Sequence, residues 1–125
     1  MKRILIVEDD QFLREFYQEL LEAEGYILDT ASEGETGLRK IQQNEYDLIL
    51  LDIMLPKLNG IQILSQLKTQ RAKNAKAPIV VLTNLGQDVT IKQCFDLGAA
   101  GYLIKSALNP DEVLNEVKSY LQKTT

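Results

Sequence analysis

The chain has 125 residues, of which 45% are hydrophobic and 26% charged, a composition typical of a single globular domain. Its 18 acidic and 14 basic residues give a net charge of -4, so the chain lacks the basic face that direct nucleic-acid binding requires. A single cysteine and the absence of histidine exclude an internal disulfide, a Cys/His metal site and a histidine general base.

The beginning of the chain, MKRILIVEDD, places four apolar residues between a basic start and three acids. Four apolar residues are too few for the core of a signal peptide, and no later apolar run approaches membrane-spanning length. We therefore expect a cytoplasmic protein that makes no contact with a membrane.

Short apolar runs alternate with segments in which apolar residues recur at helical spacing, which is the pattern of repeated βα units. This alternation predicts an α/β fold of five parallel strands and five helices, with residues 1–125 forming one domain. The predicted strands are Ile4–Val7, Tyr26–Leu28, Leu48–Leu51, Ile79–Leu82 and Tyr102–Ile104.

The first two helices are predicted from an apolar stripe and from a capping pattern. The first helix ends before Gly25, which is a typical C-terminal cap, and the second begins at Ser32, which forms a capping box with Glu35. The second helix buries Leu38 and Ile41. The apolar stripe of the first helix consists of Phe12, Leu13, Phe16, Tyr17, Leu20 and Leu21.

The last three helices have clear boundary signals. The third follows Asn59 and Gly60, and the fourth runs from about Gln87 to Leu97 and stops at Gly98. The polar and basic residues 69–77 between them are predicted to form a solvated helix end and loop. The fifth helix has Asn109 as its cap, Pro110 at the first position and core residues at Val113, Leu114, Val117, Tyr120 and Leu121.

Polar side chains follow four of the five predicted strands. They are Glu8, Asp9 and Asp10 after the first strand, Asp52 after the third, Thr83 and Asn84 after the fourth, and Lys105 after the fifth. Each of them alone has an ordinary structural explanation, such as capping a helix. Because the carboxyl ends of parallel strands share one edge of the sheet, where ligands gather, we expect the set to form a functional site.

Phosphoryl capture is the chemistry that fits these side chains. Two or three neighbouring carboxylates need a compensating cation, and oxygen ligands suit Mg2+. We expect Asp52 to be the nucleophile that forms an aspartyl phosphate, Asp9 a direct metal ligand and Glu8 a partner through metal-bound water. Lys105 and Thr83 would supply positive charge and hydrogen bonds to the phosphoryl oxygens.

The chain contains four motifs that match those of a known family. In chain order they are ILIVEDD, DLILLDIMLPKLNG, VVLT and GAAGYLIK. From Ile4 to about Leu121 the chain resembles the receiver domain of bacterial two-component response regulators. The resemblance implies a flavodoxin-like, doubly wound sheet with strand order 2-1-3-4-5. It also implies that Asp52 accepts a phosphoryl group from a histidine kinase or phosphotransfer protein, and that Asp9, Asp52 and the main-chain carbonyl of Met54 bind Mg2+.

The resemblance also implies a conformational switch. Thr83 would move toward the phosphoryl group and the ring of Tyr102 would turn inward, which alters a face built from helix four, strand five and helix five. That face would control an output protein or domain, although the end of the chain, QKTT, gives no sign of an output domain. Such a protein phosphorylates and dephosphorylates itself and is not a turnover enzyme.

Several positions depart from the family pattern. Asn84 stands where a small residue is usual and is expected to slow or redirect phosphotransfer, and Ser106 stands where proline, often in a cis peptide, is usual. Ala100 and Gly101 replace the paired acids of the DNA-binding subfamily, so we expect a monomer or weak dimer. The apolar side chains of Met54 and Leu85 cannot orient a hydrolytic water, which predicts a phosphoryl lifetime of hours rather than seconds.

Three other functions fit the sequence less well. A pseudo-receiver that binds proteins without using phosphate is disfavoured by the complete set of Asp9, Asp52, Thr83 and Lys105. An aspartyl-nucleophile phosphatase usually has a second carboxylate two residues after the nucleophile, where this chain has Met54. A nucleotide-binding Rossmann domain needs a glycine-rich first loop, whereas this loop reads EDDQ.

Overall fold

The computed structural model describes residues 1–70, 77–84, 88–106 and 109–122. These residues form five strands, β1 to β5 in chain order, which are Arg3–Val7, Ile27–Ala31, Leu48–Asp52, Ile79–Thr83 and Gly101–Ile104. They also form five helices, α1 to α5, which are Gln11–Glu22, Gly34–Gln43, Gly60–Gln70, Asp88–Asp96 and Pro110–Gln122. The strands pair in parallel in the order β2-β1-β3-β4-β5, so the predicted fold class and strand order are confirmed.

Alternate residues of the central strands enter two cores on opposite faces of the sheet. In β1, Ile4 and Ile6 belong to the core shared with α1 and α5, whereas Leu5 and Val7 belong to the core shared with α2, α3 and α4. Cys94 is buried in the second of these cores, where it packs as a small apolar residue. Because helices cover both faces, the central strands are continuous apolar runs that turn polar only where they end.

The helix boundaries mostly follow the signals in the sequence. In α5, Oδ1 of Asn109 accepts hydrogen bonds from the backbone N–H groups of Asp111 and Glu112 at 3.0 and 3.3 Å, so the predicted cap is confirmed. Gly25 and Gly98, which follow α1 and α4, have φ of +92° and +104°, a conformation that favours glycine. Gln87, the predicted start of α4, and residues 71–76 of the predicted loop lie outside the described residues.

Two predictions about helices are wrong. α2 begins at Gly34 rather than at Ser32, and no side chain caps its first turn, so the capping box does not form. The start of α2 packs tightly against the loop before α3, because a Cβ on Gly34 would overlap the carbonyl oxygen of Leu58. Phe12 is 72% exposed, since it lies five residues before the buried Tyr17 and therefore on another side of α1.

The last strand lies directly against α5. A Cβ on Gly101 would overlap the hydroxyl of Tyr120, so glycine at this position allows the Tyr120 ring to contact the β5 backbone. The peptide bond between Lys105 and Ser106 is trans, as are all the described peptide bonds. Within the described ranges, no helix combines the length and the apolar character needed to cross a membrane.

Candidate functional site

The buried polar side chains of the described residues gather at the carboxyl edge of the sheet. Glu8, Asp52 and Thr83 are each at most 1% exposed, and they end β1, β3 and β4 or follow them directly. The register places them side by side, since Val7 is opposite Leu51 and Asp52 is opposite Leu82. The prediction that these strand ends meet at one edge is therefore confirmed.

Lys105 joins two of the buried acids. Its Nζ lies 2.7 Å from Oδ2 of Asp52 and 2.9 Å from Oε1 of Glu8, and its side chain is only 13% exposed. The backbone N–H of Lys105 donates to the carbonyl oxygen of Thr83 at 2.7 Å, which holds the Lys105 backbone beside the end of β4. Burial alone would lower the pKa of Lys105, but hydrogen bonds and charge from Asp52 and Glu8 raise it. The ammonium group therefore stays charged between the two carboxyl groups.

Glu8 is fully buried in the site. Its carboxyl group contacts Lys105 directly and accepts from the backbone N–H of Asp10 at 3.2 Å. Its contact with a metal through bound water stays a prediction. Burial and a hydrogen bond with Asp52 raise the pKa of Glu8 to about 8, against the lowering effect of Lys105. Glu8 therefore holds a proton more tightly in this site than an ordinary glutamate does.

Asp9 completes a cluster of three acids. Its side chain is exposed, and one carboxyl oxygen from each of Glu8, Asp9 and Asp52 lies within 4.8 Å of the others. The guanidinium of Arg14 donates to the carbonyl oxygens of Glu8 and Asp9 at 2.9 and 3.4 Å, which holds the turn between β1 and α1. Three carboxyl oxygens in this arrangement suit a hard divalent cation such as Mg2+, so the residues present fit the predicted metal.

The loop after β3 folds back over Asp52. Oδ1 of Asp52 accepts from the backbone N–H of Met54 at 3.1 Å, and the N–H of Gly60 donates to the carbonyl oxygen of Ile53 at 2.9 Å. A Cβ on Gly60 would lie 2.6 Å from the carbonyl oxygen of Asp52, so the turn requires glycine at this position. The side chain of Met54 is 59% exposed, and Leu85, its predicted counterpart across the site, lies outside the described residues.

The two predicted switch residues lie in different surroundings. Thr83 is buried next to Asp52, and its hydroxyl donates to the carbonyl oxygen of Asn84 at 3.2 Å. Tyr102 is 42% exposed and packs edge-on against Phe95 with ring centroids 6.4 Å apart. The structure therefore brings Asp9, Asp52, Glu8 and Lys105 together, and it places the ring of Tyr102 on the outer face.

The sequence does not single out the hydroxyl of Tyr17, whose pKa is affected by the acids of the site. The sequence pattern assigns Tyr17 to the apolar stripe of α1, where it is fully buried. Burial raises the pKa of its hydroxyl to about 12, and the negative charges of Glu8 and Asp52 act in the same direction. The available signal was the hydroxyl itself, because a buried tyrosine normally needs a hydrogen-bond partner.

Comparisons with known proteins show what this chain is similar to. Residues 4–118 match the sequence profile of the response regulator receiver domain. The alkaline phosphatase synthesis transcriptional regulatory protein PhoP of Bacillus subtilis is 38% identical over 123 residues, which are 98% of this chain and 50% of that protein. The chain spans about half the length of the curated relatives it matches.

Solved structures show the same fold. A CheY-like response regulator receiver domain protein of Methanospirillum hungatei has a TM-score of 0.90 and 30% identity, with 99% of this chain and 96% of that chain covered. The receiver domain of a sensor histidine kinase of Pseudomonas aeruginosa has a TM-score of 0.86 and 25% identity, with 97% and 98% covered. That second structure contains a magnesium ion coordinated in its active-site cleft.

Proposed function

The chain belongs to the family of response regulator receiver domains, and from that premise we propose that it is a phosphoacceptor switch modified on Asp52. The observation that carries the proposal is the position of the Lys105 ammonium, 2.7 Å from the buried Asp52 and 2.9 Å from Glu8. A carboxylate in this position is rigidly held, and a cation is already present for the negative charge that a phosphoryl group would bring.

In the proposed reaction, a histidine kinase or phosphotransfer protein presents a phosphohistidine to the carboxyl edge of the sheet. A carboxylate oxygen of Asp52 attacks phosphorus, the new O–P bond forms, and the P–N bond breaks. The electron pair of that bond stays on the imidazole nitrogen, which takes up a proton. Lys105, together with Thr83 once its hydroxyl turns from Asn84, would bind the phosphoryl oxygens.

We propose that Asp9, Asp52 and the main-chain carbonyl of Met54 hold Mg2+, with Glu8 reaching it through water. Mg2+ bound there would offset the negative charge of the carboxylates and of the incoming phosphoryl oxygens. The support is the cluster of carboxyl oxygens within 4.8 Å of one another. The surrounding residues hold this cluster in place, since Arg14 and the backbone N–H of Met54 fix the two loops that carry it.

The proposed output face consists of the exposed parts of α4, β5 and α5. Phe95 and Tyr102 are 43% and 42% exposed there, and their adjacent rings leave apolar surface for a partner. A shift of Thr83 toward a phosphoryl group would leave room for Tyr102 to turn inward, which removes its ring from this surface. The partner would be an output protein or domain, and the chain would be a monomer or weak dimer.

We further propose that residues 1–125 are one receiver domain, that it acts in the cytoplasm, and that it is not a turnover enzyme. The support for a single domain is the one continuous sheet, whose two faces are both covered by helices of this chain. A signalling role needs one phosphoryl group per molecule, which the buried Asp52 can accept.

Incubation with acetyl phosphate and Mg2+ followed by intact mass measurement tests this function. We expect a gain of one phosphoryl group in the wild-type protein and no gain in Asp52→Asn. Asp29→Asn is the matched control, because Asp29 also pairs with a lysine but lies on β2, so this variant should still gain the group. A wild-type protein that gains no mass would instead be a module that binds partners without phosphate.

A further inference from the structure

A groove of about 460 Å³ is bounded by α4, β5 and α5, and its lining is partly apolar and partly acidic. The rings of Phe95 and Tyr102 supply its large apolar surface, and Glu112 and Glu116 of α5 supply its acids. β5 is the last strand in the sheet order, so no strand among the described residues pairs with its other edge. The groove therefore lies on a side of the sheet that is open to a partner.

The apolar part of the groove is formed by two neighbouring rings rather than by a single side chain. Phe95 on α4 and Tyr102 on β5 are both exposed, and they pack edge-on with their centroids 6.4 Å apart. Cys94, the residue before Phe95, enters the core, so α4 turns the larger ring away from the core. Adjacent exposed apolar side chains of this kind mark surfaces that other molecules cover.

The acids of the groove have no cation beside them. Glu112 and Glu116 are both exposed, and neither forms an ion pair with any of the described residues. They lie four residues apart on one helix and therefore repel each other. Lys118, the lysine of α5, contacts Glu24 at 3.6 Å instead. Glu112 lies in the first turn, where an acid favours the helix dipole, but Glu116 lies beyond that turn and lacks this explanation.

The occupant of the groove has to match both parts of its lining. It needs an apolar side chain to cover the two rings and cationic side chains to neutralise the two carboxylates. A second copy of this chain meets the second requirement poorly. A twofold contact through the same face would double the number of carboxylates, and the described residues of the lining include no lysine or arginine.

We propose that this groove binds a basic segment of a partner protein, which places a large apolar side chain against Phe95 and Tyr102 and lysine or arginine beside Glu112 and Glu116. The inference deepens the proposed function and rests on it, since it gives the chemistry of the partner that the output face would bind. The groove is already formed in the unmodified chain, so this binding needs no phosphoryl group.

Selection from a phage-displayed library of short random peptides tests the proposal without assuming a particular partner. The target is the unmodified wild-type protein, with acetyl phosphate absent. We expect the enriched peptides to combine lysine or arginine with large apolar residues and to contain few acids. One enriched peptide is then synthesised, and calorimetry measures its affinity for the wild-type protein and for variants.

The double variant Glu112→Gln/Glu116→Gln should bind the enriched peptide about fivefold more weakly or worse, since it loses two charge contacts at the protein surface. Glu15→Gln/Glu19→Gln is the matched control, because it removes the same charge at the same helical spacing from α1. This control should bind within about twofold of the wild-type protein, since charges far from the groove are screened by salt.

Phe95→Ala removes one of the two rings and should weaken peptide binding by about tenfold or more, as expected for an aromatic side chain at the centre of an interface. Because both glutamine variants change only exposed side chains, they keep the test decisive if Phe95→Ala folds poorly. Added NaCl should weaken binding to the wild-type protein more steeply than binding to Glu112→Gln/Glu116→Gln.

Three results would overturn the inference. They are a selection that enriches no basic peptide, equal binding of the peptide to the wild-type protein and to Glu112→Gln/Glu116→Gln, and equal weakening in this variant and in Glu15→Gln/Glu19→Gln. Sedimentation velocity adds a fourth. A dimer of the wild-type protein that Phe95→Ala dissociates would assign the groove to a second copy and would also overturn the proposal.

Failure of the proposed function gives a different result. A protein that is not a phosphoacceptor gains no mass with acetyl phosphate and Mg2+, whereas the peptide is selected and measured without either reagent. A chain that gains the phosphoryl group but binds no basic peptide would contradict only the inference about the groove. The two failures can therefore be told apart.

Discussion

Two groups of carboxyl, lysine and tyrosine side chains occur in this molecule, and they differ in how completely their charges and hydrogen bonds are matched. We call Glu8, Asp52, Lys105 and Tyr17 the central group, and Asp29, Lys40 and Tyr46 the edge group. In the edge group, Lys40 contacts Oδ1 of Asp29 at 2.8 Å and the carbonyl oxygen of Thr30 at 2.7 Å, while Tyr46 donates to Oδ2.

The edge group has one acid for one lysine, and its tyrosine hydroxyl is hydrogen-bonded. The central group has two buried acids for one lysine, with the exposed Asp9 adjacent, and the hydroxyl of Tyr17 lacks a partner among the described residues. The matched edge group links β2 to α2 and stabilises the fold. The unmatched central group has charges and hydrogen-bonding groups that an added ion or ligand could pair with. The same side-chain types can therefore form a functional site when they are unmatched.

The largest predicted effect separates the two lysines. Lys105→Ala should slow phosphorylation by acetyl phosphate by about 100-fold or more, since it removes the buried cation beside Asp52. Lys40→Ala should leave the rate within about twofold, because Lys40 contacts Asp29 and the backbone of β2, away from the acids of the central group. The measurement is a time course of intact mass, and equal rates in the two variants would contradict the proposed role of Lys105.

The next effect concerns the proton on Glu8. Because burial and Asp52 raise the pKa of Glu8 to about 8, Mg2+ binding near neutral pH should expel about one proton. The affinity for Mg2+ should therefore rise about tenfold per pH unit up to about pH 8. Calorimetry in two buffers of different ionisation enthalpy measures the proton release, and Glu8→Gln should abolish it.

The metal-free protein gives an independent check on the same proton. The pKa of Glu8 is higher in the folded state than its ordinary value of 4.5, so the folded protein binds the proton more tightly between pH 4.5 and about 8. The free energy of unfolding should therefore fall as pH rises through that range. The contribution of Glu8 is the difference between the pH profiles of the wild-type protein and of Glu8→Gln. If that difference increases with pH between 4.5 and about 8, Glu8 is not protonated in the native site.

A smaller effect is expected when the hydroxyl of the edge group is removed. Tyr46→Phe should lower the free energy of unfolding by about 1–2 kcal/mol, because it leaves Oδ2 of Asp29 without its 2.7 Å hydrogen bond. Tyr17→Phe should cause no loss by the same urea measurement. Equal losses in the two variants would remove the contrast between the central and edge groups.

The smallest effect is the acid sensitivity of Asp29. Burial pushes the pKa of Asp29 up, but hydrogen bonds from Lys40 and Tyr46 and the charge of Lys40 hold it below its ordinary value of 3.8. The stability that this pair contributes is therefore present above pH 3.8 and is lost as pH falls through the lower, folded-state value. Between these two pKa values, the free energy of unfolding of Asp29→Asn should change less with pH than that of the wild-type protein. The difference should be small because the pair is partly exposed. Urea denaturation at a series of acid pH values measures it.

Strand periodicity predicts the positions of the site residues well. A residue that ends an apolar strand must lie at the carboxyl edge, whatever else the chain does, so the sequence alone is enough to place Asp52 and Lys105 there. The cap at Asn109 is also predictable, since a cap depends on a few neighbouring residues only. These successes share one property, which is that the deciding interactions are local or follow from the sheet as a whole.

The remaining features depend on contacts between distant parts of the chain. Gly34, where α2 begins, lies against the carbonyl of Leu58, and the buried Glu8 pairs with Lys105, which is nearly a hundred residues away in sequence. The apolar pattern assigns Tyr17 correctly to the buried stripe, but it does not indicate that the Tyr17 hydroxyl lacks a hydrogen-bond partner among the described residues.

The contact between Gly101 and Tyr120 links two positions that a substitution would otherwise change separately. The face of β5 and α5 has glycine at position 101, and any side chain placed there would bring its Cβ against the Tyr120 hydroxyl, so the Tyr120 side chain would have to shift. The free-energy cost of a substitution at position 101 therefore depends on the residue at position 120. Substitutions at these two positions should be non-additive in the free energy of unfolding.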